Sequence, residues 1–323
     1  MIASETTAAP VDSQELFARI AEAVQPHLKI DAPALDEARV QMLIDTAVAD
    51  ARLPRPVEVH LDNGQVNTLS HRVHRQFEDL MGLIEEGHSN IMLVGPAGTG
   101  KTTLAKHVAK ALGRQFNFIS LSAGVTETHI FGRMLPQADG TWAYVESPFI
   151  RIYRNGGVFL FDEVDAADGN VMVSVNAALA NGMLCNPVTG EVVERHADCI
   201  IITAANTYGR GGDMIYVGRN ALDGATLDRF VLTQLFVSYD DALENEIACA
   251  LEPMDSADLL CWVRALREKI TSCRLRRVAS TRLVEQGVKA MAKGRTLEQV
   301  KARYFQSWSR DELAKVGEEV RNG

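Results

Sequence analysis

Apolar and polar positions fall into three patterns along the chain. In "VDSQELFARIAEAV", Leu16, Phe17, Ile20 and Val24 recur at helical spacing, with Asp12 or Ser13 as N-cap and Pro26 ending the run. "DAPALDEARVQMLIDTAVADA" repeats the pattern with Val40, Leu43, Ile44 and Ala47. Two short amphipathic helices bury little by themselves, so residues 1–54 are expected to dock on the rest of the chain or on a partner. Residues 55–70 read as a linker leading into strand-like alternation around an Asn-Gly turn.

From His71 the pattern changes. An amphipathic helix, "HRVHRQFEDLMGLIEEG", stops at Gly87, and a second runs from Lys101 to Leu112 and ends at Gly113. Between and after them stand short apolar runs: "NIMLVG", "FNFISL", "GVFLFDE", "CIIITAAN" and "RFVLTQLFV". Runs without alternation are strands covered on both faces, and strands separated by helices make a parallel α/β sheet. From Asp240 the strand signal disappears and helical periodicity takes over. The expected organisation is therefore an N-terminal helical region (1–54), a linker with strand (55–70), an α/β core with a parallel five-stranded sheet between helices (71–238), and a helical lid (239–323). Two hairpins are expected within the core. One is "MLPQADGTWAYV", with an Asp-Gly turn, and the other is "MLCNPVTGEVVERHADC", with a Thr-Gly turn.

Composition narrows the class. The length of 323 residues allows one large domain or two ordinary ones, and no apolar run approaches the roughly 18 residues of a membrane span. The N-terminus has no basic start followed by an apolar core, so no secretory signal is expected. Five cysteines without a CxxC pair read as reduced, mostly buried thiols of a cytoplasmic protein. A net charge of −9 argues against wholesale nucleic-acid binding, although basic residues cluster from Arg264 to Arg310 against only Glu268, Glu285 and Glu298. His60, His71, His74 and His88 have no ligand-spaced partner and read as solvated histidines.

The chemistry begins at "GPAGTGKTT", residues Gly95, Pro96, Ala97, Gly98, Thr99, Gly100, Lys101, Thr102 and Thr103. The spacing G-x-x-x-x-G-K-[ST], placed after an apolar strand and before a helix, turns successive N–H groups towards phosphates. The helix dipole adds to that pull. Lys101 would neutralise the β- and γ-phosphates, and Thr102 with Asp162 would hold Mg²⁺. "VFLFDE" carries Asp162 and Glu163 to a strand end, where Glu163 can polarise an attacking water. Asn206, ending "IIITAAN", can hold that water against the γ-phosphate. Arg229 stands just before a strand, and Arg282 stands in the first turn of a helix capped by Ser280 or Thr281. A cation there opposes the helix dipole unless it meets an anion. Arg210, Arg219 and Arg277 are rivals for an arginine role.

Together the phosphate loop, the Asp-Glu strand, the strand-end Asn and the two late arginines before a helical lid resemble a P-loop NTPase of the AAA+ ATPase type. The stretch "HIFGRMLPQADGTWAYVESPFIRIYRNGGVFLFDEVDAADGNVMVSVNAALANG" looks like the MoxR and dynein-related branch. "AANTYGRGGDMIYVGRNALDGATLDRF" is similar to the cobaltochelatase ATPase subunit (CobS-like) and its bacterial and phage relatives. The resemblance runs from about Val57 to the end and is strongest from His71 to Arg229. It implies an ATP-hydrolysing homo-oligomeric ring, usually a hexamer, that uses ATP and Mg²⁺ and remodels a protein client or a von Willebrand A-type partner subunit, with chelatase-like metal insertion as one such role. It implies further that Arg229 is a finger reaching the neighbour's ATP, that Arg282 senses nucleotide in its own subunit, and that Asn206 is the first sensor. The hairpins would face the pore, with Trp142 and Tyr144 as exposed aromatic candidates; packing of both rings on the hairpin base is the alternative. A nucleic-acid motor and a nucleotide-gated scaffold are the competing functions. Residues 1–54 carry no motif of the family.

Overall fold

The structure is a computed structural model that describes residues 57–60, 66–69 and 73–318, all within one compact unit, Arg52–Gly323. The two helices expected within residues 1–54 lie outside the described residues, as do His71 and the Asn-Gly turn.

Strands β1 (Val57–His60) and β2 (Val66–Leu69) pair antiparallel. Asn67 on β2 donates to the Ala111 carbonyl at 2.8 Å, tying this hairpin to the helix that follows the phosphate loop. Helix α1 (Phe77–Glu85) leads to β3 (Asn90–Val94), α2 (Lys101–Ala111) and β4 (Phe116–Ser120). After α3 (Glu127–Phe131) comes the hairpin β5 (Arg133–Pro136) and β6 (Trp142–Val145), then α4 (Pro148–Asn155) and β7 (Gly157–Asp162). Next are α5 (Gly169–Ala180), the hairpin β8 (Met183–Cys185) and β9 (Val192–Glu194), β10 (Cys199–Ala205), α6 (Gly224–Asp228) and β11 (Gln234–Phe236). Five strands form a parallel sheet in the order β11-β3-β10-β7-β4.

The apolar runs are unbroken because both faces of this sheet are covered. Ile91, Leu93, Val158, Leu160 and Ile202 face a core with Leu104 and Val108 of α2. Their alternating neighbours Met92, Val94, Phe159, Phe161 and Ile201 face the other core, with Phe149 of α4 and Val175 of α5. Phe149, Phe159 and Phe161 meet edge-on or tilted at centroid distances of 4.9–5.1 Å, a geometry that suits the ring quadrupoles.

Two strand expectations are corrected. "FNFISL" forms the sheet edge, so Phe118 is 53% exposed instead of buried. "RFVLTQLFV" contributes only Gln234–Phe236, because Val231 and Leu232 lie in an exposed turn between Arg229 and the strand. Helix α1 begins at Phe77, later than its periodicity indicates. His74, expected in solvent, is buried: its ring contacts the Ser238 carbonyl and accepts the Gln76 N–H, and burial pushes its pKa down. The thiols are not mostly buried either. Only Cys199 is, Cys273 is intermediate, Cys185, Cys249 and Cys261 are exposed, and none is bridged.

The C-terminal helices are α7 (Asp241–Ala248), α8 (Pro253–Ser272), α9 (Thr281–Met291), α10 (Leu297–Phe305) and α11 (Arg310–Val316). They close their own core around Leu259, Val263, Trp262, Val284 and Trp308. Four of the basic residues here are matched by acids. Arg264 and Arg267 meet Glu244, Arg277 grips Glu312, and Lys301 pairs with Glu298. Among the described residues no helix is long and apolar enough to cross a membrane.

Candidate nucleotide site

The five parallel strands deliver their C-terminal ends to one rim, where ligands bind in open sheets of this kind. The loop after β3 fits that rim tightly. A side chain on Gly95 would place Cβ 2.1 Å from the Val237 carbonyl oxygen, so only glycine admits the close approach of β11's chain. Lys101 folds back over the loop and donates to the carbonyls of Gly95 at 2.7 Å and Pro96 at 2.9 Å, and to Asn206 Oδ1 at 3.0 Å. Thr99 is buried and its hydroxyl donates to Pro96 at 3.1 Å. Burial pushes the Lys101 ammonium down to about 8, while Asp162 and Asp165 pull the other way. The backbone N–H groups of residues 98–103 have no protein acceptor among the described residues. Ala97 N–H, by contrast, donates to the Tyr216 hydroxyl at 2.8 Å, and the Tyr239 hydroxyl donates to the Ala97 carbonyl at 3.1 Å.

Beside the loop, Thr102 donates to Asp162 Oδ2 at 2.7 Å. Glu163 follows in the left-handed backbone region, φ 57° and ψ 40°, which costs a non-glycine residue of order 1 kcal/mol or more. That turn breaks β7 and swings the carboxylate to the rim, where Oε2 accepts from Ser120 at the end of β4 at 3.3 Å. Asp165, two residues on, is fully buried. Its Oδ2 accepts the N–H groups of Asn206 and Thr207 and the Thr207 hydroxyl, each at 3.0 Å, and so fixes the strand end that carries Asn206. Arg219 reaches both acids, with Nη1 3.2 Å from Asp165 and Nη2 3.2 Å from Glu163.

Lys101, Thr102, Ser120, Asp162, Glu163 and Asn206 line a cavity of about 580 Å³, with Leu243 and Ile247 of α7 and Thr281 and Arg282 of α9 also on its wall, while Asp165 and Arg219 stand behind Glu163. Gly98, Gly100 and Thr103 also face it. Thr281 is anchored by its hydroxyl on Glu244 Oε1 at 2.8 Å, and the neighbouring Arg282 is exposed with no ion pair among the described residues. Arg229 is not in this cavity. It ends α6, five residues before β11 begins, and its side chain is exposed without an ion pair among the described residues. Arg210 is also exposed, whereas Arg277 is held by Glu312 and lies over Trp308.

The two aromatic candidates part company. Trp142 is 64% exposed. The Tyr144 hydroxyl donates to the Phe131 carbonyl at 2.5 Å and accepts from buried Asn186 at 2.8 Å, so Tyr144 ties the base of the β5–β6 hairpin to the turn end of the β8–β9 hairpin. The groups missed in the sequence are Ser120, Asp165, Tyr216, Arg219 in this role and Tyr239. Of these, Asp165 carried a signal as a third acid two residues after Glu163, and Arg219 as one of the rival arginines.

A parallel sheet with an N–H-lined loop, a buried lysine and paired acids at its strand ends defines a P-loop nucleotide-binding fold with a helical C-terminal part. Residues 90–230 match the family described as AAA domain (dynein-related subfamily). Uncharacterized proteins of Staphylococcus saprophyticus and Staphylococcus haemolyticus are each 27% identical to the chain, over 176 and 175 residues. Each alignment covers 53% of this chain and 64% of the relative, so the chain spans less than two thirds of these curated relatives. A crystal structure from Cytophaga hutchinsonii described as a "putative ATPase" aligns at TM-score 0.44 and 14% identity, covering 80% of this chain and 72% of that one.

Proposed function

We propose that the chain binds ATP with Mg²⁺ and hydrolyses it, in a MoxR- or CobS-like ring that acts on a partner protein. The observation that carries this is the row of unmatched N–H groups at residues 98–103 around a buried lysine. Such a cluster of donors at a helix N-terminus forms a ready anion site, and a triphosphate supplies the anion. Thr102 and Asp162 would hold Mg²⁺, whose charge would offset that of the phosphates.

In the proposed reaction Lys101 bridges the phosphates, Asn206 orients the water and Glu163 receives its proton. Arg282 faces the cavity from α9, which supports a sensing role for nucleotide in its own subunit. Arg229, exposed and without an ion pair among the described residues, is in keeping with a finger that completes a neighbouring copy's site, and exposed Trp142 with a contact to the client. A hexameric ring and a von Willebrand A-type or chelatase-like partner follow from the family resemblance. The test is Glu163→Gln. Hydrolysis should fall by about 10²-fold or more while ATP binding persists. Wild-type turnover in that variant refutes the assignment.

A further inference from the structure

Arg219 lies in the segment 207–222, which runs from the end of β10 to α6 without a helix or strand of its own. The segment is nonetheless built. Its ends meet in a backbone bridge between Arg210 and Ala221. The Asp213 carboxylate accepts the N–H groups of Ile215 at 2.8 Å and Tyr216 at 2.7 Å. A Cβ on Gly212 would stand 2.6 Å from the Val217 carbonyl, so the turn requires glycine. Ile215 and Val217 face outward, at 43% and 61% exposure, while Tyr216 between them reaches the phosphate loop. Asn220 then pins the strap to the acidic turn, its N–H donating to the Asp165 carbonyl at 2.6 Å and its side chain to the Ala167 carbonyl at 2.9 Å.

The two carboxylates that share Arg219 are unlike. Asp165 is wholly buried and holds three further donors on Oδ2, so it is a fixed anchor. The Glu163 side chain is 44% exposed, whereas that of Arg219 is 15% exposed. An exposed carboxylate has several rotamers open to it. With one arm of the fork on Oε1 and the Ser120 hydroxyl on Oε2, a single orientation is favoured. The planar guanidinium can serve both acids at once, which a lysine ammonium on a flexible stem does poorly.

We infer that Arg219 is a positioning residue for hydrolysis, acting within its own subunit by holding the Glu163 carboxylate towards the attacking water. The inference rests on the ATPase reading above. In the step concerned, a water O–H bond breaks and its proton passes to Glu163. The water oxygen bonds to the γ-phosphorus, and the bond from that phosphorus to the β,γ-bridging oxygen breaks, releasing ADP.

The test uses the full chain and three readouts: steady-state ATP hydrolysis, binding of a fluorescent non-hydrolysable ATP analogue, and thermal unfolding. Arg219→Ala should lower kcat about 10- to 100-fold, a share of what a well-placed base contributes. KM and analogue affinity should stay within about threefold. Arg219→Ala also strands the buried Asp165 charge, so two further variants remove that effect. Arg219→Lys keeps the charge, and Arg219→Ala with Asp165→Asn removes the need for it. Both should recover melting temperature and leave kcat low. Wild-type kcat in either shows that Arg219 only neutralises Asp165, and overturns the inference. Loss of analogue binding in parallel with kcat overturns it as well. Mixing Arg219→Ala with Glu163→Gln subunits should give no rescue, because the two residues must share a chain; rescue would place the action in trans. A Glu163→Gln protein with normal turnover refutes the ATPase assignment itself, whereas an inactive Glu163→Gln beside a fully active Arg219→Ala refutes this inference alone.

Discussion

Glu244 on α7 is fully buried and meets Arg267 of α8 at 2.7 Å, Arg264 at 3.7 Å and the Thr281 hydroxyl at 2.8 Å. Thr281 opens α9, the helix whose first turn carries Arg282, so this carboxylate fastens one wall of the nucleotide cavity. Removing one member of a buried pair costs about 3–5 kcal/mol, because the remaining charge is left without its partner. In Glu244→Ala the Arg267 charge is not wholly stranded. It keeps the Ala279 carbonyl at 2.9 Å, and its guanidinium lies 3.8 Å from the centre of the Tyr239 ring. The expected loss therefore sits near the lower end, about 3 kcal/mol. At about 2–4 °C per kcal/mol for a domain of this size, the melting temperature should fall by roughly 6–12 °C. Urea unfolding at constant m-value measures the loss, and titration with an ATP analogue should show weaker binding. The double variant Glu244→Met/Arg267→Met, which removes both charges, should recover most of the stability. A loss below about 1 kcal/mol in Glu244→Ala, or a double variant no better than the single, would refute the reasoning.

Three further outcomes are expected. The Arg277 guanidinium, helped by the Ser309 N–H, pulls the Glu312 carboxyl down to about 2. A lowered carboxyl stabilises the fold fully above its ordinary value of 4.5 and loses that contribution as pH falls from there towards 2. Arg277→Ala should therefore flatten stability between those limits, by of order 1 kcal/mol because the pair is partly exposed, as read by urea midpoints at stepped pH. Arg229→Ala should leave nucleotide affinity nearly unchanged, lower hydrolysis strongly and regain activity when mixed with Glu163→Gln subunits; absence of any rescue would exclude action in trans. Gly95→Ala forces a methyl into the Val237 carbonyl and should weaken analogue binding about tenfold or more, and wild-type affinity would refute the close approach seen here.

Much of the core was legible because its signals are local. A strand covered on both faces must be apolar at every position, so β3, β7 and β10 announce themselves as runs. A loop that wraps phosphates needs glycine and lysine at fixed offsets, so residues 95–102 are readable without any neighbour. The edge strand β4 misled for a physical reason: its apolar composition is that of a central strand, and only its place at the end of the sheet leaves Phe118 in solvent.

The sequence by itself determined the parallel sheet, the phosphate loop, the acids at the end of β7 and the helical character of the C-terminal part. Each of these depends on neighbours along the chain. The tertiary structure alone decided what becomes of the arginines and aromatics, because that depends on partners far away in sequence. Arg277 is spent on Glu312, Arg229 is left outside, and Arg219 crosses more than fifty residues of chain to join Asp165 and Glu163. Tyr144 is taken by Phe131 and Asn186 while Trp142 stays exposed, and two distant tyrosines meet at Ala97. A long polar side chain carries no periodicity of its own; its role is fixed only when folding brings an acceptor within about 3 Å.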